Sequence, residues 1–277
     1  MAGMNKDAQE RTDGGSGLRL VLASQSPARL KLLREAGFAP EAVVSGVDES
    51  AFDAATPYEL ALILAHAKAE AVAKRVGPGA LVIGCDSVLD LGGIAYGKPT
   101  DAQDAISRWH DMRGKDGMLL TGHCLIDTRD VDTRNINIGN INTGDIDTRD
   151  VDNGGPAGEA GNVVDGVDGE NGERAADGTG DANVRRTPHF EVGATLVRFA
   201  DLSDAEIEAY VATGEPLHVA GAFTLDGLGG SFVESIAGDP SNVIGLSLPL
   251  LRRLLAEVGV GVSDLWVRDE PLVRVTG

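Results

Sequence analysis

Leu18-Arg19-Leu20-Val21-Leu22-Ala23-Ser24-Gln25-Ser26-Pro27-Ala28-Arg29 is the stretch on which the fold turns. Leu18–Ala23 is a short aliphatic run of the kind that forms a buried strand. Ser26-Pro27 then opens a helix, because Ser can cap and Pro at the first helical position loses no needed donor. Leu30 and Leu33 continue that helix and Gly37 ends it. A buried strand feeding a helix N-terminus is the unit from which α/β folds are built.

The same alternation runs outward along the chain. Glu41–Val47 reads as a second strand. Thr56-Pro57-Tyr58-Glu59 is a capping box that starts a helix reaching about Arg75. Leu81–Cys85 is another buried strand, with a hairpin through Asp90-Leu91-Gly92-Gly93. A capping box at Thr100-Asp101-Ala102-Gln103 starts a helix that stops near Gly114, and Gly117–Ile126 is extended. Phe190–Phe199 is a strand, Ser203-Asp204-Ala205-Glu206 caps a helix that stops at Gly214, and a strand follows near Phe232–Ile236. Ser247–Val258 is a last amphipathic helix closed by Gly259. The expected fold is therefore α/β.

Between 127 and 186 regular patterning fails. Five-residue units such as Asp130-Val131-Asp132-Thr133-Arg134 and Asp145-Ile146-Asp147-Thr148-Arg149 recur there, too few to bury stacked coils. The Gly-rich nonapeptide and EF-hand spacings that hold calcium are missing. The segment reads as a flexible acidic insertion, with calcium or partner binding as the competing reading. Residues 1–17 and 267–277 read as tails around one domain spanning 18–266.

Composition bounds the function. A chain of 277 residues can bury a sizeable core, and with Phe, Trp and Tyr at 4% that core is expected to be aliphatic. A net charge of −19 argues against a nucleic-acid polymer as partner but leaves room for a small phosphorylated ligand held by a few cations. Cys85 and Cys124 have no CxxC spacing, which fits a reducing compartment. His66, His110, His123, His189 and His218 show no metal-ligand spacing. The polar Met1–Gly17 stretch lacks the apolar core of a signal peptide, and no run reaches transmembrane length, so no membrane role and a cytoplasmic location are expected.

Several residues carry candidate chemistry. Ser24, Ser26 and Arg29 sit where a strand meets a helix N-terminus, a natural phosphate cradle. Asp86, in Gly84-Cys85-Asp86-Ser87, is placed at the C-terminal end of a strand, where ligands of α/β sheets gather. Lys98 lies between Gly97 and Pro99 ahead of a capped helix. Lys68 has mostly small or apolar neighbours at helical spacing and is expected to point inward. Glu49 follows a predicted strand.

The ordered series SxSPxR, VDE, LAxxKA, GCDS, GKP, TG, GEPxxxAGAF and NVIGL resembles the Maf family of nucleoside triphosphate pyrophosphatases, from about Leu18 to Trp266 apart from the insertion. The resemblance implies a two-lobed mixed-sheet fold with a central cleft, like that of Maf and inosine triphosphatase proteins. It implies hydrolysis of a nucleoside triphosphate between the α- and β-phosphates, assisted by a divalent cation, magnesium or manganese. The family's catalytic Asp falls on Asp86 and its acidic partner on Glu49, the two expected metal ligands, with Lys98 a third catalytic position. Arg29, Lys68 and Lys98 match the phosphate-binding cations; Ser24 and Ser26 match the loop hydroxyls. Three positions depart: Ala28 replaces the first Arg of SPRR, Ser87 a Thr, and Asp226 a Gln. Ser87 and Asp226 are expected to touch the substrate, and an acceptor-only Asp226 favours donor-rich base edges such as guanine's. Clearance of modified or noncanonical nucleotides is the expected role, with a homodimer left open. The alternative is a non-catalytic nucleotide-binding regulator of cell division.

Overall fold

The structure is a computed structural model, and it describes residues 18–129 and 188–267. The tail 1–17 and the pentads at 130–154 lie outside the described residues, as does most of the segment read as an insertion. Among the described residues seven strands form one open mixed sheet: β1 (Arg19–Leu22), β2 (Glu41–Ala42), β3 (Ala80–Leu91), β4 (Ile94–Tyr96), β5 (Asp116–Asp127), β6 (His189–Phe199) and β7 (Val233–Ala237). Their order is β2-β1-β3-β5-β6-β7, with β4 pairing to β3 off that path. β1 is parallel to β2 and β3; every other pairing is antiparallel. Among the described residues six helices accompany them: α1 (Pro27–Glu35), α2 (Pro57–Val76), α3 (Ala102–Met112), α4 (Asp204–Ala212), α5 (Pro240–Ile244) and α6 (Leu248–Glu257).

The helix starts follow cap chemistry. Ser26, Thr56, Ser203 and Ser247 each accept a backbone N–H from three residues on. The α3 cap is Asp101 rather than Thr100: its carboxylate accepts the Asp104 N–H, while Asp104 reaches back to the Thr100 N–H. The short α5 went unread because Pro240–Ile244 has barely one turn in which to express a period.

The sheet joins two cores. One gathers Leu20, Leu33, Leu81, Ile83, Leu251 and Leu255 under α1 and α6. The other gathers Leu89, Trp109, Met112, Phe199, Tyr210 and Phe223 beside α3 and α4. The first core is aliphatic as expected apart from Phe38, and the second is not. Trp109 meets Phe199 and Tyr210 edge-on at 5.6 and 5.7 Å, so the second core holds a cluster of aromatic rings.

Two expectations shift in ways that shape the cleft. The strand expected at 41–47 pairs only at Glu41–Ala42, because the Val44 and Ser45 carbonyls turn to the Arg75 guanidinium at the end of α2. Asp86 does not end a strand; it sits inside the twelve residues of β3, which β5 pairs from Leu81 to Asp90. On the opposite edge, β1 leaves after Ile83 and β4 joins only at Leu89. Among the described residues no strand covers that edge in between, and there the cleft opens.

At the far end of β5, ordered contacts run past the expected boundary at 127. The Thr128 hydroxyl donates to Gly77 O and Ala80 O, and Arg129 donates to Val258 O. Val267, assigned to the tail from sequence, donates its N–H to Gly37 O.

Candidate active site

One cavity of about 680 Å³ lies in this opening, a volume suited to a nucleotide. All nine residues singled out from sequence line it: Ser24, Ser26, Arg29, Glu49, Lys68, Asp86, Ser87, Lys98 and Asp226.

Lys68 is the hub of the charged groups. It is buried on α2, and its Nζ lies 2.7 Å from Glu49 Oε1 while donating also to Asp86 Oδ1. α2 comes this close because glycines face it: a Cβ on Gly84 would stand 2.3 Å from Ala65 O, and one on Gly122 would stand 2.2 Å from Ala61 O. Glu49 arrives from the other side, on a 3-10 turn (Glu49–Ala51) capped by Asp48.

The two carboxylates are set apart electrostatically. Burial pushes the Asp86 carboxyl above the usual range, a desolvation that Lys68 and Arg29 only partly offset. For the more exposed Glu49, desolvation is outweighed by Lys68, Lys98 and Arg29 together, which hold it below its ordinary value. Asp86 thus has the stronger pull on a proton, while Glu49 stays charged.

Arg29 is fixed before any ligand arrives. Its Nε donates to Gly245 O at 2.6 Å, one terminal nitrogen to Ser24 Oγ at 3.3 Å and the other to Ser87 Oγ at 3.0 Å. Ser87 Oγ lies 2.9 Å from Thr121 Oγ1, and Thr121 donates to Asn242 O at 3.0 Å. Ser87 is therefore a link in a chain that aims Arg29. Thr121, at the end of that chain, had no role from sequence beyond its place in the TG pair. Ser24 Oγ also accepts the Ser26 N–H, and Ser26 Oγ accepts the Arg29 N–H. Each hydroxyl keeps its own proton for an anion.

Behind this chain, His123 is fully buried. Its Nε2 accepts the Ser247 N–H at 2.8 Å and its Nδ1 faces Thr121 O at 2.9 Å, the arrangement of a neutral ring. Desolvation pushes its pKa down to about 4.

Lys98 is exposed at the cleft and makes no ion pair among the described residues. Val44, Phe223, Leu225, Val243 and Ile244 also line the cavity and give it apolar surface. Asp226 lines it too, with Oδ2 3.7 Å from Lys31 Nζ of α1.

Among the described residues no cluster of three or more His, Cys, Asp or Glu forms a metal site. The donor set nonetheless fits a hard cation. Asp86 and Glu49 converge on one point, which the Lys68 ammonium already fills, and magnesium commonly takes one or two carboxylates plus substrate phosphate oxygens.

An open mixed sheet with carboxylates and cations lining a nucleotide-sized cleft defines a phosphate-handling α/β protein. Residues 19–164 and 176–258 match the family described as Maf-like protein. The chain is 51% identical over 253 residues to a nucleoside triphosphate pyrophosphatase of Streptomyces coelicolor, covering 91% of this chain and 96% of that one. It is 46% identical over 259 residues to one of Salinispora tropica, covering 92% and 90%, and 46% identical over 245 residues to one of Thermosynechococcus vestitus, covering 88% and 96%. The chain belongs to the Maf-like family.

Proposed function

We propose that the chain is a hydrolase that splits nucleoside triphosphates into the monophosphate and pyrophosphate. The observation that carries this is Lys68 held between Asp86 and Glu49 in a cavity that Arg29 and Lys98 also line, together with apolar side chains such as Phe223 and Leu225. The charged groups receive the triphosphate and the apolar ones the base.

In this reading Arg29, Lys68 and Lys98 hold the phosphate chain, with the Ser24 and Ser26 hydroxyls and the N-terminus of α1 as further donors. Asp86 accepts the proton of a water as its oxygen bonds to the α-phosphorus. The bond from that phosphorus to the bridging oxygen breaks, and pyrophosphate leaves with the electron pair. The three cations offset the charge that accumulates on the leaving oxygens. A magnesium or manganese ion would be held by Asp86 and Glu49 together with phosphate oxygens, and its chemistry is charge neutralisation and activation of bound water.

Base selection falls to the apolar side chains and Asp226, whose carboxylate suits donor-rich edges once it parts from Lys31. Modified or noncanonical nucleotides are the proposed targets, free in the cytoplasm rather than within a polymer. No helix among the described residues is long and apolar enough to cross a membrane. The regulator of cell division that binds without turnover is not favoured, since the relatives carry the name of an enzyme.

The test is pyrophosphate release by the purified protein with magnesium or manganese, across canonical and methylated triphosphates. Release is expected from at least one of them, with loss in Asp86→Ala. Hydrolysis undiminished in Asp86→Ala would sink the mechanism.

A further inference from the structure

The GEP motif has no part in the phosphate chemistry, yet its glutamate accepts four hydrogen bonds. Glu215 Oε1 accepts from the Tyr210 hydroxyl at 3.0 Å, the Thr224 hydroxyl at 2.5 Å and the Gly229 N–H at 3.0 Å; Oε2 accepts the Leu228 N–H at 3.1 Å. Two of these donors are backbone groups of the loop that leaves the cleft wall after Leu225 and Asp226. A third is the side chain of Thr224, which itself lines the cavity, and the fourth is Tyr210 of α4.

Glycines let the loop close on the carboxylate. A Cβ on Gly227 would stand 2.7 Å from Glu215 Oε2, and one on Gly229 would stand 2.4 Å from the Tyr210 hydroxyl. The loop's start is constrained as well. Ala222 adopts φ 55, a conformation rare for a side-chain-bearing residue, and its carbonyl accepts the Trp109 indole N–H at 2.8 Å. Loop backbone wrapped around an internal anion behaves like the N–H nests that bind phosphate, with the ligand supplied by the chain itself.

We propose that Glu215 is a positioning residue for base selection: its carboxylate holds residues 224–229 in the shape that presents Leu225 and Asp226 to the nucleobase. This rests on the reading above, in which the apolar side chains receive the base. A glutamine at 215 cannot reproduce it. One amide oxygen replaces two acceptor oxygens, and the NH2 group opposes either the Leu228 N–H or the donors on the other side.

The experiment compares the full-length wild type with Glu215→Gln, Glu215→Asp and Thr224→Val, measuring pyrophosphate release from a purine and a pyrimidine triphosphate. Glu215→Gln is expected to raise KM for the preferred nucleotide about tenfold and to narrow base discrimination by a similar factor, with kcat changed less than about threefold. Glu215→Asp should fall between the two. Backbone amides of residues 228 and 229 should exchange hydrogen faster, while those of α4 stay as protected as in the wild type. Unchanged KM and discrimination in Glu215→Gln would overturn the proposal, and so would kcat falling in step with a rising KM. Should that variant fail to fold, Thr224→Val decides: a KM rise of about threefold supports the role, and wild-type kinetics refute it. A wild type that hydrolyses no triphosphate defeats the enzymatic reading instead, whereas an active wild type beside an indifferent Glu215→Gln defeats only this one.

Discussion

Gly84→Ala adds one carbon atom and should cost the protein most of its activity. The new Cβ would stand 2.3 Å from Ala65 O, 2.7 Å from Ala69 N and 2.9 Å from Ala69 Cβ, all in α2. Two of those atoms are backbone, so no side chain can rotate away. Restoring ordinary contact requires the helix to retreat by roughly 1 Å, with an overpacking cost of about 1–3 kcal/mol. At that cost the melting temperature should fall by roughly 3–10 °C. The larger effect is on geometry, since Lys68 is on the retreating helix and its partner Asp86 lies two residues beyond Gly84 on the strand that stays. A misplacement of that size in a reacting constellation costs on the order of a hundredfold in kcat/KM. Thermal unfolding and pyrophosphate release read the two effects separately. Gly92→Ala is the control: its φ of 66 strains an alanine, but no atom lies within 4 Å. That variant should lose a little stability and no activity. A Gly84→Ala protein with wild-type kcat/KM and an unchanged melting temperature would refute the close seating of α2 as the device that sets Lys68 against Asp86.

Thr121→Val removes the hydroxyl that accepts from Ser87 and donates to Asn242 O; it should cost about 1–2 kcal/mol of stability and raise KM several-fold as the aim of Arg29 loosens. His123 is held neutral down to about 4, whereas the unfolded chain takes up the proton near pH 6.5. Its contribution is therefore complete above pH 6.5 and is lost as pH falls toward 4, by about 3 kcal/mol in total. Denaturant unfolding at pH 7.5 and pH 5 should show a smaller acid loss in His123→Gln than in the wild type, and equal losses would remove His123 as the cause. Leu125 pairs with His189 across the antiparallel β5–β6 register, so a short turn can join the two strands. Replacing 130–187 with such a turn should preserve hydrolysis, and an inactive but folded protein would contradict this.

Much of the layout was legible because local chemistry and tertiary structure agree. Ser26-Pro27 and Ser203 to Glu206 cap helices whatever surrounds them, and the inward placement of Lys68 followed from its small neighbours. What escaped was decided by partners distant in sequence. Asp86 is expected at a strand end because the apolar run stops at Cys85, yet β5 supplies a hydrogen-bonding partner well past it. The second strand was drawn too long because nothing in Val43–Val47 announces that Arg75 will take two of its carbonyls. The bonds of Ser87 to Arg29 and Thr121 could not be read from sequence, since Arg29 lies fifty-eight positions away and Thr121 thirty-four. Asp226 was read as facing a base, without any sign that Lys31 would stand 3.7 Å away.

The uncovered edge of β3 between Ile83 and Leu89 has a consequence for how the chain can vary. An unsatisfied strand edge ordinarily invites a neighbour, and other proteins guard such edges against aggregation. Here the vacancy in the sheet is the workplace, kept open because β1 departs early and β4 arrives late. Lengthening both strands by two or three residues each would cover most of residues 84–88 and knit the sheet shut. Loop lengths on either side of that window thus constrain the cleft as closely as the side chains that line it.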